Sequence, residues 1–254
     1  VEQFNMQLSK PKLLLSGFCL GFLFMSIAYA GPADYLYLPT VEQGEKEIDL
    51  KFGTAKLEDG SRKNVTSLGF GYGATNYWFT EVYLKREHEG SESLTLAEWE
   101  NKFQLTETGK YAVEVGLITE IEAPLNNSKE PWEIKIGPLF QAEFGKLQLN
   151  GNVLFERKVG GDNDDHHISE MGYQWQAKYR LKPEFEFGAQ GFGEMGEWNH
   201  WDNSGEQNHR FGPAIFGKLA LGNNQAIKYN TAWLFGVSDA APSNTFRMQI
   251  EYEF

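Results

Sequence analysis

The stretch "GGDNDDHHISE" (Gly160–Glu170) holds the densest set of metal-ligating side chains in the sequence. Asp162, Asp164 and Asp165 offer carboxylates, which suit calcium. His166 and His167 offer imidazoles, which suit zinc or copper. The spacing departs from the calcium-loop pattern, because His167 stands where that loop needs glycine. The plainer reading is a solvated polar loop, and no other cofactor is expected. Nucleophilic hydrolysis would need a serine held by a base that a third group orients. His88, His166, His167, His200 and His209 are the only histidines, with Ser169 and Ser204 near some of them in sequence. No G-x-S-x-G motif is present, so an enzyme is not expected.

A second set of reactive groups is spread along the chain rather than clustered. Glu81, Lys85, Glu114, Glu120, Lys135 and Glu143 alternate with apolar neighbours. So do Lys178, Arg180, Glu186, Arg210, Lys228, Arg247 and Glu251. Side chains on a strand point alternately to opposite faces, so this pattern puts all thirteen on one face. Rings of charge lining a passage can select ions or small solutes. The same charges can equally close the passage with salt bridges.

The elements that must carry these residues are strands. Period-two alternation dominates from Glu45 onward, and no stretch of helical period stands out. Twelve segments of roughly 9–12 residues emerge, a length suited to a tilted strand crossing a bilayer. The alternation slips near Ala97, which suggests a bulge. Gly-Pro pairs at Gly137-Pro138 and Gly212-Pro213 fall inside the sixth and tenth segments and read as matched bulges or bends. Short links follow even segments and longer polar links mostly follow odd ones. That asymmetry fits a barrel with both termini on the side of the short turns.

The apolar face decides between a soluble and a membrane barrel. Twelve strands with several large apolar side chains each would overfill a small lumen. With the faces reversed, the charges line a wet interior and the apolar band meets lipid. Tyr72, Trp78, Tyr111, Phe144, Tyr179, Phe185, Tyr252 and Phe254 then gather near one rim, the depth aromatic rings prefer.

Residues 1–30 differ from the rest. Lys10 and Lys12 precede an apolar run, and Ala28-Tyr29-Ala30 is a small-x-small cleavage site. This reads as a secretory signal peptide with a few residues upstream. Gly31–Gly44 is an irregular lead, and 45–254 is the barrel. Cleavage removes the only cysteine and leaves a net charge of −13, against −12 for the whole chain. An acidic exported chain is a poor match for nucleic acid.

These features resemble Gram-negative outer-membrane β-barrel proteins. The likeness spans Glu45–Phe254 and is most specific at the end, where Phe246, Met248, Ile250 and Tyr252 alternate up to Phe254. In that family a closing strand ending in Phe is read by the barrel-assembly machinery. The resemblance implies a closed up-and-down antiparallel barrel in the outer membrane, with lipid and lipopolysaccharide as its surroundings. The expected role is a narrow passive channel for small polar solutes or ions. The alternatives are a non-conducting barrel whose outer loops bind metal, lipopolysaccharide or a protein, and a lipid hydrolase.

Overall fold

The computed structural model describes residues 31–161 and 168–254. The signal-peptide region and the loop residues Asp162, Asp164, Asp165, His166 and His167 lie outside the described residues. Twelve long strands form one antiparallel ring: β1 Lys46–Lys56, β2 Arg62–Gly73, β3 Trp78–Glu89, β4 Glu92–Gln104, β5 Glu114–Pro124 and β6 Trp132–Phe144. The ring continues with β7 Leu147–Val159, β8 Ser169–Lys182, β9 Phe185–Glu197, β10 Asn208–Gly222, β11 Gln225–Gly236 and β12 Asn244–Glu253. A two-residue ladder at His200–Trp201 extends β9 beyond the ring. Each strand pairs with its chain neighbours, and β12 pairs with β1 from Glu47↔Glu253 to Lys56↔Asn244. Closure leaves no unpaired edge, the condition lipid imposes on a sheet.

The two faces are inverted relative to a soluble protein. Asp49 is 1% exposed, whereas Leu68 is 56% exposed. Most charged and amide side chains turn inward, and most large aliphatic and aromatic ones turn outward. Short turns sit between β2 and β3, β6 and β7, β8 and β9, and β10 and β11. The last uses Asn223 and Asn224, both at positive φ, as a type I′ hairpin requires. By the usual orientation of such barrels this is the periplasmic end.

Three sequence expectations change. β4 keeps one register on both sides of Ala97, which faces Leu84 and Ala123, so there is no bulge. The alternation looked broken because Leu96 faces inward and is buried. The alternation from Tyr111 onward puts the start of the fifth segment at Tyr111, but β5 begins at Glu114. The Gly-Pro pairs do not form bulges either. On β6 the ladder to β7 lapses at Gly137 and Pro138, then resumes at Leu139↔Asn152 in the register of Ile136↔Phe155. β10 does the same towards β11 between Phe211↔Phe235 and Ala214↔Ala232. The neighbouring backbone folds over the glycine instead. A Cβ at 137 would stand 2.1 Å from the Val153 carbonyl, and one at 212 would stand 1.9 Å from that of Trp233. Only glycine admits such an approach, and proline beside it has no N–H to leave unpaired.

Candidate functional site

The lumen is occupied. The lead before β1 turns back into the barrel and runs along its inner wall. At the periplasmic rim its Gly44 N–H donates to the Gly73 carbonyl at 2.8 Å, and Gly73 N–H donates to the Glu45 carbonyl at 2.8 Å. Deeper in, Val41 N–H donates to Gln104 Oε1 at 2.7 Å. Tyr37 is held from three directions. Its N–H donates to Gln174 Oε1 at 3.3 Å, its carbonyl accepts from Asn152 Nδ2 at 2.9 Å, and its hydroxyl donates to Glu120 at 2.7 Å. The Tyr35 hydroxyl donates to Glu100.

The wall is shaped for this segment. Inward glycines stand where the lead passes. A Cβ at Gly53 would come within 2.1 Å of the Pro32 carbonyl, and one at Gly73 within 1.9 Å of the Glu42 carbonyl. The Tyr37 ring packs on Ile118, Leu139 and Leu154, an apolar patch that faces the lumen, with the Tyr35 ring edge-on at 4.9 Å. Burying a side chain of this size contributes about 1.5–3 kcal/mol.

Charged groups fill much of the remaining inner face. Lys85 bridges Glu98 at 3.6 Å, Glu87 at 3.9 Å and Glu122. Lys135 bridges Glu120 at 3.1 Å, Glu156 at 3.3 Å and Glu133 at 3.8 Å. Lys178 meets Glu186 at 3.0 Å, and Arg180 makes a forked contact with Glu143 at 2.7 and 3.0 Å. Lys228 contacts Glu251 at 2.6 Å, Glu45 at 3.2 Å and Glu253. Glu81, Glu114 and Arg210 are buried on the same face, and Glu114 accepts from Gln141 at 3.0 Å. Arg247 reaches across to Gln190 Oε1 at 2.6 Å and lies over the Phe192 ring. All thirteen charged residues picked from the sequence are therefore on the lumen wall or at its mouth.

Sequence reasoning missed two parts of this wall. One is an amide track on β6 to β9. Gln190 donates to Gln176 at 2.7 Å, Gln176 to Asn150 at 3.3 Å, and Asn150 to Gln141 at 3.0 Å. Neutral amides carry no charge pattern, but their strand parity matches the lumen-facing acids. The other is the lead, whose signal was Tyr35 and Tyr37 spaced two apart.

Beside the lead, whose residues from Tyr35 to Glu42 line it, a chamber of about 810 Å³ occupies the periplasmic half of the lumen. Ten carboxylates and five basic side chains line it. A separate pocket of about 20 Å³ near the outer loops shares no lining residue with it. Among the histidines proposed as catalytic bases, His209 contacts Tyr173 at 3.0 Å and Gln207 at 2.8 Å, while His88 and His200 are exposed. The outer-loop side chains Trp198 and Trp201 are exposed. On β12, Phe246, Met248, Ile250 and Tyr252 face outward, and Phe254 N–H donates to the Lys46 carbonyl at 2.9 Å.

A closed, up-and-down, inside-out ring of this kind is an outer-membrane β-barrel. It is similar in fold to the KdgM porin, with a TM-score of 0.56 at 8% identity over 82% of this chain and 99% of that one. It is also similar to the COG4313 outer membrane channel from Pseudomonas putida F1, with a TM-score of 0.59 at 14% identity over 89% and 99%. The NanC porin gives 0.54 at 10% identity over 82% and 98%. No protein-family description matches the sequence, and no curated protein is detectably similar to it.

Proposed function

We propose that the protein is a narrow passive channel for small polar solutes or ions, with a preference for cations. The observation that carries this reading is the carboxylate excess lining the chamber, ten against five. Fixed charge of one sign in a low-dielectric wall concentrates ions of the other sign. The fold likeness to small outer-membrane channels supports a transport role. The KdgM porin has been captured with disordered oligogalacturonate, a carboxylated sugar chain. The acidic lumen here argues for a different cargo. Outer-membrane lipid and lipopolysaccharide surround the apolar belt in this reading, and the closing strand engages the assembly machinery during biogenesis. No catalytic step belongs to it.

A second reading is a barrel that does not conduct and acts through its outer loops. The lead favours it, since that segment runs inside the lumen and is fastened to β4, β5, β7 and β8. Reconstitution of the folded protein in a planar bilayer separates the two. Discrete conductance steps with a cation-directed reversal potential support the channel; a silent bilayer sinks it.

A further inference from the structure

The chamber carries acceptors that nothing in the protein satisfies. Asp49 and Glu81 are 1% and 3% exposed and line its upper part. Asp49 Oδ2 accepts from the Tyr83 hydroxyl and from Gln249, each at 2.8 Å, but its Oδ1 has no partner. Glu81 Oε1 has none either. Buried carboxylate oxygens are normally paired, so two unpaired ones on residues that line a cavity mark a place for a donor.

The protein shows which donor chemistry fits. Lys51 places its primary ammonium 3.3 Å from the centre of the Tyr35 ring, 3.5 Å from that of Tyr83, and 3.6 Å from Asp49. An ammonium between two aromatic faces and a carboxylate is an aromatic cage. At the rim, Lys228 places a second ammonium among Glu45, Glu251 and Glu253, with Glu47 grouped beside them. Carboxylates outnumber these cations in both tiers. The tiers are offset by two residues on β1, from Glu47 to Asp49, or roughly 7 Å along the strand. A three- or four-carbon spacer sets successive ammoniums a comparable distance apart. A volume of about 810 Å³ suits an organic ligand rather than a bare ion.

We propose that the chamber binds a linear oligoamine entering from the periplasmic side, its ammoniums spanning the rim tier and the Asp49–Glu81 tier. The inference shares its chamber with the channel reading but needs no conduction, so the two fail separately.

The test is equilibrium dialysis of spermidine against the full-length folded protein in detergent, at low ionic strength. Saturable binding is expected, and Mg²⁺ at equal charge concentration leaves it in place. Glu81→Gln, a nearly isosteric change, and Glu47→Gln each weaken it by about tenfold or more. Glu206→Gln, in an outer loop, leaves it unchanged. Absence of saturable binding at millimolar spermidine overturns the proposal. So does displacement by Mg²⁺, or equal weakening by Glu206→Gln. If neither chamber variant folds, the comparison of spermidine with Mg²⁺ on the unaltered protein still decides.

Discussion

The hydroxyl of Tyr37 donates to the Glu120 carboxylate at 2.7 Å and so ties the lead to β5 inside the lumen. Glu120 also meets Lys135, so the tyrosine is fastened to a charge network rather than to a single side chain. A hydrogen bond to a charged group contributes about 1.5–3 kcal/mol. Tyr37→Phe loosens the lead by about that amount, and Tyr37→Ala also empties the Ile118–Leu139–Leu154 patch. Single-channel recording should show a larger conductance for the alanine variant than for phenylalanine, and for both than for the unaltered protein. Equal conductance in all three would mean that the lead does not limit flow.

Gly53 offers a route to the same end without touching charge. Its missing Cβ leaves room for the Pro32 backbone. Gly53→Val forces the lead away from β1 at a cost of about 1–3 kcal/mol. The ring is otherwise intact, so electrophoretic heat-modifiability stays normal while conductance rises. A normal conductance would place the lead elsewhere.

Selectivity gives a third outcome. Glu47→Gln with Glu251→Gln removes two chamber carboxylates and leaves all five basic residues. The reversal potential in a salt gradient moves towards zero, and the shift shrinks at high salt as screening sets in. An unchanged potential would put the selective region outside the chamber.

Glu45, just before β1, gives a pH dependence. Burial, with a carboxyl–carboxyl hydrogen bond to Glu253, raises its pKa from an ordinary value near 4.5 to about 7, against the pull of Lys228. A carboxyl whose pKa is higher in the folded state adds stability that is complete below about pH 4.5 and lost as pH rises through about 7. The Gly44–Gly73 contact should therefore open more readily at about pH 8 than at about pH 5, once intrinsic exchange is corrected for. Hydrogen exchange at residues 44 and 45 reads this directly, and Glu45→Gln abolishes the difference.

The final strand supplies the fifth outcome. Phe254 lies beyond the last β12 residue and is joined to Lys46 by one backbone hydrogen bond. Its deletion leaves the ladder intact but removes the terminal aromatic. Insertion into the outer membrane of growing cells should fall while refolding in detergent is unaffected. A variant that inserts normally would show that the assembly machinery does not need this residue.

Much of the fold was legible because one force writes it. Lipid outside and water inside demand opposite chemistry at successive residues, and the alternation at Ile48–Phe52 or Val82–Leu84 records that. The lumen was legible only where it is charged. Ile118 shares the strand parity of Glu114 and Glu120 but is apolar, because it faces Tyr37 and not water. Gln174 and Asn152 were silent for a related reason: they serve the backbone of the lead, and a neutral amide looks alike on either face. The lead has no period to detect, since its contacts are spread over β1, β2, β4, β5, β7 and β8. The Gly-Pro pairs pointed to real irregularities, but their form depends on how closely Val153 and Trp233 approach, which only the assembled ring determines.

The pairing of Glu47 with Glu253 joins positions some two hundred residues apart. The outer edge of β1 therefore has no partner until β12, the last strand of the ring in chain order, is in place. Until then one side of β1 presents a row of open amides and carbonyls. The peptide preceding it can come to rest only once the cylinder has an inside to hold it.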